Sequence, residues 1–391
     1  MPNAARIMQR CEELARHSEL AGGLTRVFLS PEHRAASDLV LGWMREAGMR
    51  AGLPCLMLGS HLDTVRDAGR YDGMLGVVTA IDCVAALAAK DRRLPFAIEV
   101  VGFGDEEGVR FGTTMLGSRA IAGGVEAAVL GARDANGVSV EQALREFGLD
   151  PARVPNFGRQ KGDVLAYAEL HIEQGPVLEA EGLPVGVVTA INGFSRLRAR
   201  VRGTAGHAGT VPMQLRRDAL AAAAECVLAV ECVARSDPQL VGTVGRIEAK
   251  PGAINVIPGE VDFTIDFRAP GDELRHRGVA SVKAELAAIA GRRGVACEVE
   301  LIQELGVTQC APWLMAQLER AVAAEDAPLR KLPSGAGHDG QAMSRLTDVA
   351  MLFVRCRGGI SHNPAEAITE ADAGIGARTL LRFIQNFELR R

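Results

Sequence analysis

A short apolar run that stops at a histidine constrains this chain more than any other feature. Pro54-Cys-Leu-Met-Leu58 leads directly into Gly59-Ser-His-Leu-Asp-Thr-Val65. A brief apolar run bounded by Pro and Gly reads as a buried strand of an α/β sheet. Ligand sites in such sheets lie beyond the carboxyl ends of the strands. The run therefore delivers His61 to where this kind of fold keeps its chemistry. Asp63 lies on the same side, because strand side chains alternate. Tyr71-Asp-Gly73 then precedes an apolar helix over 75–89, so Asp72 enters the same crevice.

Further strand ends carry the same kind of residue. The run 96–103 reads as a strand that stops at Gly104-Asp-Glu-Glu-Gly108. The run 165–170 leads to His171-Ile-Glu-Gln-Gly175, and 349–354 leads through Gly358-Gly-Ile-Ser to His362-Asn-Pro. Three of the eight histidines thus follow strand-like runs. If Asp72 bridges two metals, His61 and His171 can complete one site, and Glu107 and His362 the other. This N/O donor set suits manganese or zinc, with cobalt and nickel also compatible. Two divalent ions about 3.5–4 Å apart polarise a carbonyl and lower the pKa of a water. Glu106, next to the ligand Glu107, is then free to act as general base. Asp63 is placed to orient His61 through its second ring nitrogen.

The 391 residues suffice for two domains. Helices are expected over 3–17, 31–48, 113–122, 139–147 and 371–388. Between the strand ends lies a segment of different rhythm. It reads as a strand over 194–201, a helix over 211–235, strands over 241–249 and 260–268, a helix over 272–292 and a strand over 295–302. Val261, Phe263, Ile265 and Phe267 alternate there with Asp262, Thr264, Asp266 and Arg268, a one-face-buried strand. That order is a split βαβ, ferredoxin-like α+β unit. The expected domains are 1–192 with 305–391, and an inserted 193–304. Arg268 sits on the polar face of its strand, suited to a planar carboxylate. After Gly48 the chain reaches strand 54–58 so soon that one edge of the first sheet is open to question.

The formal net charge of −4 supplies no basic field for nucleic acid. The amino-terminal stretch lacks a secretory apolar core, no run is long enough to span a bilayer, and the eight cysteines form no C-x-x-C pair. A cytoplasmic protein is expected.

Several stretches together resemble one family. They are Gly59–Val65, Tyr71–Gly73, Asp105-Glu-Glu-Gly-Val-Arg-Phe111, Glu169-Leu-His-Ile-Glu-Gln-Gly175 and Gly206-His-Ala-Gly-Thr210. Later ones are Gly252-Ala-Ile-Asn-Val-Ile-Pro-Gly259, Ser334-Gly-Ala-Gly-His-Asp339 and Gly359-Ile-Ser-His-Asn-Pro-Ala-Glu366. The chain resembles the M20 metallopeptidase superfamily, in its hydantoinase/carbamoylase branch of amidohydrolases. The resemblance implies the same ligands (His61, Asp72, Glu107, His171, His362), with Glu106 as base. It implies that Arg268 grips a substrate carboxylate, that Asn255 and Gln174 are polar substrate contacts, and that the Gly337 backbone lies against the substrate. His207 is similar to a histidine lent to the partner subunit's site to stabilise the oxyanion. A homodimer formed through the inserted lid domain follows from the same resemblance. The implied reaction is hydrolysis of a ureido group on a small acid, either allantoate or an N-carbamoyl-L-amino acid. The segments 67–72 and 351–359 look more like those of allantoate enzymes.

Overall fold

The computed structural model describes residues 1–47 and 54–389. They form two compact units, Met1–Ile191 with Gln309–Arg391, and Asn192–Thr308. The sheet edge questioned after Gly48 concerns residues 48–53 and lies outside the described residues. The strands are β1 (Cys55–His61), β2 (Ala97–Phe103), β3 (Val164–Ile172), β4 (Val185–Ile191), β5 (Gly193–Arg202), β6 (Gly206–His207), β7 (Val241–Thr243), β8 (Ile247–Lys250), β9 (Val256–Ile257), β10 (Glu260–Ala269), β11 (Ala296–Leu305), β12 (Thr308–Gln309), β13 (Lys331–Ser334) and β14 (Val349–Val354).

In the first unit the sheet runs β4-β14-β3-β1-β2, with β13 beside β4. β1 is parallel to both β2 and β3, and β14 is parallel to β3. Every residue of β1 is buried. Leu56 and Leu58 pack with Val77, Val78 and Ile81 of the helix Met74–Ala88. Cys55 and Met57 face the other way, onto Phe103, Tyr167 and Met343. Layers cover both faces, which is why the run is apolar without alternation. β1 runs on through His61 and β3 through His171, so both histidines are strand residues rather than loop residues. β4, β13 and the helix Pro312–Ala323 were not expected from sequence. β4 takes its place from partners distant in sequence, β13 and β14.

In the second unit the strands run β11-β5-β10-β7, with β8 also paired to β10, and these pairings are antiparallel. One face is apolar: Leu197, Val201, Phe263 and Phe267 pack on Cys226 and Val230 of the helix Ala219–Ala234 and on Val282 and Leu286 of the helix Asp272–Arg293. The opposite face is a charge ladder. Arg196, Arg200 and Arg202 of β5 stand directly across from Asp266, Asp262 and Glu260 of β10, and each pair is joined by an ion pair. Opposite charges facing across a pair of strands stabilise the pairing modestly.

Two expectations need correction here. The helix expected over 211–235 begins only at Ala219. Pro212 and the short turn Met213–Leu215 precede it, and the Asp218 carboxylate accepts from the N–H groups of Leu220 and Ala221 at 3.0 and 3.1 Å. That N-cap fixes the start of the helix. The single strand expected over 241–249 is two strands, β7 and β8. Between them Thr264 of β10 donates its N–H to the Arg246 carbonyl. No described helix is long and apolar enough to cross a membrane.

The cap gives a stability test. Asp218→Ala should lower the stability of the second unit by about 1 kcal/mol, read from urea unfolding. An unchanged midpoint would mean that the helix start does not depend on Asp218.

Candidate metal centre

β1 and β3 are neighbours, and their ends bring His61 and His171 together with Nε2 atoms 3.5 Å apart. Each imidazole is fixed from behind. His61 Nδ1 lies 2.9 Å from the Asp63 carbonyl, and His171 Nδ1 lies 2.9 Å from the Ile172 carbonyl. A carbonyl only accepts, so both Nδ1 atoms carry the proton, and in neutral rings both Nε2 atoms present a lone pair. These tautomers are assigned from the partners rather than observed. His171 Nε2 also accepts from the Gly73 N–H at 3.2 Å. Gly73, with φ +74°, is required here: a Cβ on it would fall 2.5 Å from His61 Cε1.

Asp72 closes the arrangement from the start of the following helix. Its Oδ1 lies 3.3 Å from His61 Nε2 and 3.2 Å from His171 Nε2. That buried oxygen has no hydrogen-bond partner. Three acceptor atoms thus converge, and such a donor set fits a divalent cation. Asp72 Oδ2 turns the other way, 3.3 Å from His362 Nε2, which in turn is 3.5 Å from Glu107 Oε1. The two oxygens of one carboxylate therefore face two separate donor sets, His61 with His171 and Glu107 with His362. The residues fit a bridged pair of divalent ions.

The charges in this cluster depend on one another. Burial works to raise the Asp72 carboxyl, and the surrounding imidazoles of His171, His362 and His61 act the other way and outweigh it, holding it well below the carboxylate range. Contact with Asp72 in turn raises His362 to about 9. Burial pushes Glu107 up to about 7, with Asp72 adding repulsion. Burial also drives Glu106 well above its ordinary range, opposed by His61 and reinforced by Glu107, Asp339 and Asp63.

Asp63 is used differently from the sequence expectation. Its main-chain carbonyl, not its carboxylate, orients His61. The carboxylate accepts from the N–H groups of Glu106 and Glu107, at 3.2 and 3.3 Å. It therefore sets the direction of the acid pair. Gly337 lies beside Glu106, since a Cβ there would be 4.0 Å from Glu106 Oε1. Gln174, with φ +57°, donates from Nε2 to Asp72 Oδ2 at 2.8 Å. Its buried Oε1 has no partner, so the amide is tied to the cluster while an acceptor stays open.

The remaining expected residues belong to the second unit. β6 pairs with β9, and the Ala208 N–H donates to the Asn255 carbonyl, so His207 and Asn255 share one exposed two-stranded ribbon. The Arg268 guanidinium binds both oxygens of Asp266, at 2.9 and 3.2 Å. Burial tends to raise Asp266, but Arg268 and Arg196 hold it below its usual range.

Three residues that shape the centre were missed. The ring of His338 stacks edge-on against His171, with centroids 4.5 Å apart. Glu169 accepts from Ser60 Oγ at 2.7 Å beneath the histidines. Glu366 reaches the backbone of Asp72. All three lie inside the motif stretches quoted above, which was the one available signal. A separate cavity of about 760 Å³, lined by Pro31, Arg34, Arg66, Arg110 and Phe147 among others, contains none of the proposed ligands.

Residues 57–386 match the Peptidase family M20/M25/M40. The chain is 41% identical to the N-carbamoyl-L-amino acid amidohydrolase of Geobacillus stearothermophilus, over 97% of both chains. It is 40% identical to allantoate deiminase 1 of Glycine max, over 96% of this chain and 88% of that one. A crystal structure of a hydantoinase/carbamoylase family amidase from Burkholderia multivorans superposes with a TM-score of 0.91 at 31% identity, covering 98% of this chain and 97% of that one.

Asp72→Asn should cost metal on both sides of the cluster, and His362→Ala on one side only. Metal content after dialysis, read by plasma emission, checks this. An Asp72→Asn protein that keeps a full complement would remove Asp72 as the bridge.

Proposed function

The chain belongs to peptidase family M20/M25/M40, and on that premise we propose that it is a metal-dependent amidohydrolase cleaving a ureido C–N bond of a small acid, allantoate foremost. The observation that carries the reading is the split carboxylate of Asp72, whose unpartnered Oδ1 faces His61 and His171 while Oδ2 faces His362. Two divalent ions, manganese or zinc, would be held there, polarising the ureido carbonyl and lowering the pKa of water. His61, Asp72 and His171 would hold one, and Asp72, Glu107 and His362 the other.

Glu106 is the general base. Burial pushes its carboxyl well above the ordinary range, which favours proton uptake from a water. It takes the proton from the attacking water and returns it to the leaving nitrogen. One ureido group and one water then give ammonia, carbon dioxide and an amine. Asp63 serves this step by fixing the Glu106 and Glu107 backbone. The open oxygen of Gln174 suits an N–H donor of the substrate. The Gly337 backbone lies against the substrate.

For the second unit we propose the roles of lid and dimerisation domain. Arg268 binds the substrate carboxylate, Asn255 is a polar contact, and His207 stabilises the oxyanion in a partner subunit. Met213, Leu215 and Ile254, all exposed on this unit, support an interface there. Allantoate is placed first on the segments 67–72 and 351–359. An N-carbamoyl-L-amino acid is the second reading, favoured by the 41% identity to the Geobacillus stearothermophilus enzyme.

The test is ammonia release by manganese-loaded protein from allantoate beside a panel of N-carbamoyl-L-amino acids, with Glu106→Gln run in parallel. Wild-type turnover of a ureido acid should fall roughly 10²–10⁴-fold in Glu106→Gln with metal content unchanged. Turnover that survives the substitution would end the general-base assignment. No turnover of any panel member would end the proposed reaction.

A further inference from the structure

Glu366 has no part in the chemistry above, yet it is almost fully buried among the groups that carry it. Its Oε1 accepts from two consecutive backbone N–H groups, Tyr71 at 2.9 Å and Asp72 at 3.1 Å. Its Oε2 lies 3.0 Å from Ser361 Oγ, which is also 2.7 Å from Asp72 Oδ2. One carboxylate therefore joins the turn that presents Asp72 to the turn that presents His362, across 294 residues of sequence. The space is made for it: a Cβ on Gly69 would fall 2.2 Å from Glu366 Cδ.

The two donor sets differ in what else holds them. His61 and His171 are buried strand residues, each with its Nδ1 fixed by a carbonyl. His362 lies beyond the end of β14, with φ +54° and a half-exposed side chain. Its position relative to Asp72 depends on the turn that carries it, and Glu366 ties that turn down.

We infer that Glu366 is a positioning residue that sets the affinity of the ion on the His362 side and leaves the ion on the His61 and His171 side to its strands. The inference rests on the bridged two-ion reading. Hydrogen bonding rather than charge carries it. Ser361 has one hydroxyl proton facing two carboxylates. In Glu366→Gln the amide oxygen still accepts from Tyr71 and Asp72, while the amide N–H₂ donates to Ser361 and frees its proton for Asp72.

The experiment titrates metal-free protein with Co²⁺ and follows visible absorbance against a competing chelator. Wild type should load in two phases, with His362→Ala marking the loss of the second. Glu366→Ala should keep the first phase and weaken the second roughly 10–100-fold. Glu366→Gln should restore both. Should the alanine variant not fold, Glu366→Asp, one methylene too short to reach both turns, takes its place. An unchanged second phase in Glu366→Ala would overturn the inference. So would equal weakening of both phases with a lower unfolding temperature of the metal-free protein, which marks a general structural role. A glutamine variant that behaves like alanine would overturn the hydrogen-bond account. A wild type that loads no cobalt, or loads it in one phase, would instead overturn the two-ion reading, and the inference with it.

Discussion

One carboxylate oxygen without a proton donor governs the first unit. Asp72 Oδ1 faces two imidazole nitrogens that in the neutral rings are acceptors, since their Nδ1 atoms donate to carbonyls. Acceptors do not gather in a protein interior without compensation, because each costs its desolvation. The surrounding structure holds them there regardless. β1 and β3 are clamped between apolar layers, Gly73 leaves room for the His61 ring, and His338 stacks against His171. The fold thus holds in place a donor set that fits a divalent cation.

The ligand positions were legible in the sequence because each is a local event. A buried run ends, and a His or acid stands at or just beyond its end. Period two and strand-end logic reach that far. What surrounds them was not legible in the same way. Asp63 could be placed near His61, but not which of its oxygens would face the ring. That choice depends on the backbone of Glu106 and Glu107, over forty residues on. Glu366 meets Asp72 only after the second unit has been passed. The start of the helix at Ala219 was missed for the opposite reason. Val211 and Pro212 look helix-compatible in a window of apolar residues, and the local cap at Asp218 decides otherwise.

The second unit obeys simpler rules. Along β10 the apolar alternation is strict, so that strand and its buried face could be read from residues such as Phe263 and Phe267. Its polar face could not. Arg268 was considered as a lone guanidinium, whereas it shares Asp266 with Arg196. In the role proposed for Arg268, a substrate carboxylate would have to compete with an anion already in place.

The order of the donors along the chain has a consequence for biosynthesis. His61, Asp72 and His171 are all present once β3 has been made. His362 follows only after the whole of the second unit. Yet β14, which flanks β3 in the sheet, and the helix Glu370–Gln385, which packs into the same core, belong to the late stretch as well. The residues on the His61 side are therefore synthesised early but held in place only when that late stretch has joined the unit, so both halves of the cluster depend on the finished chain.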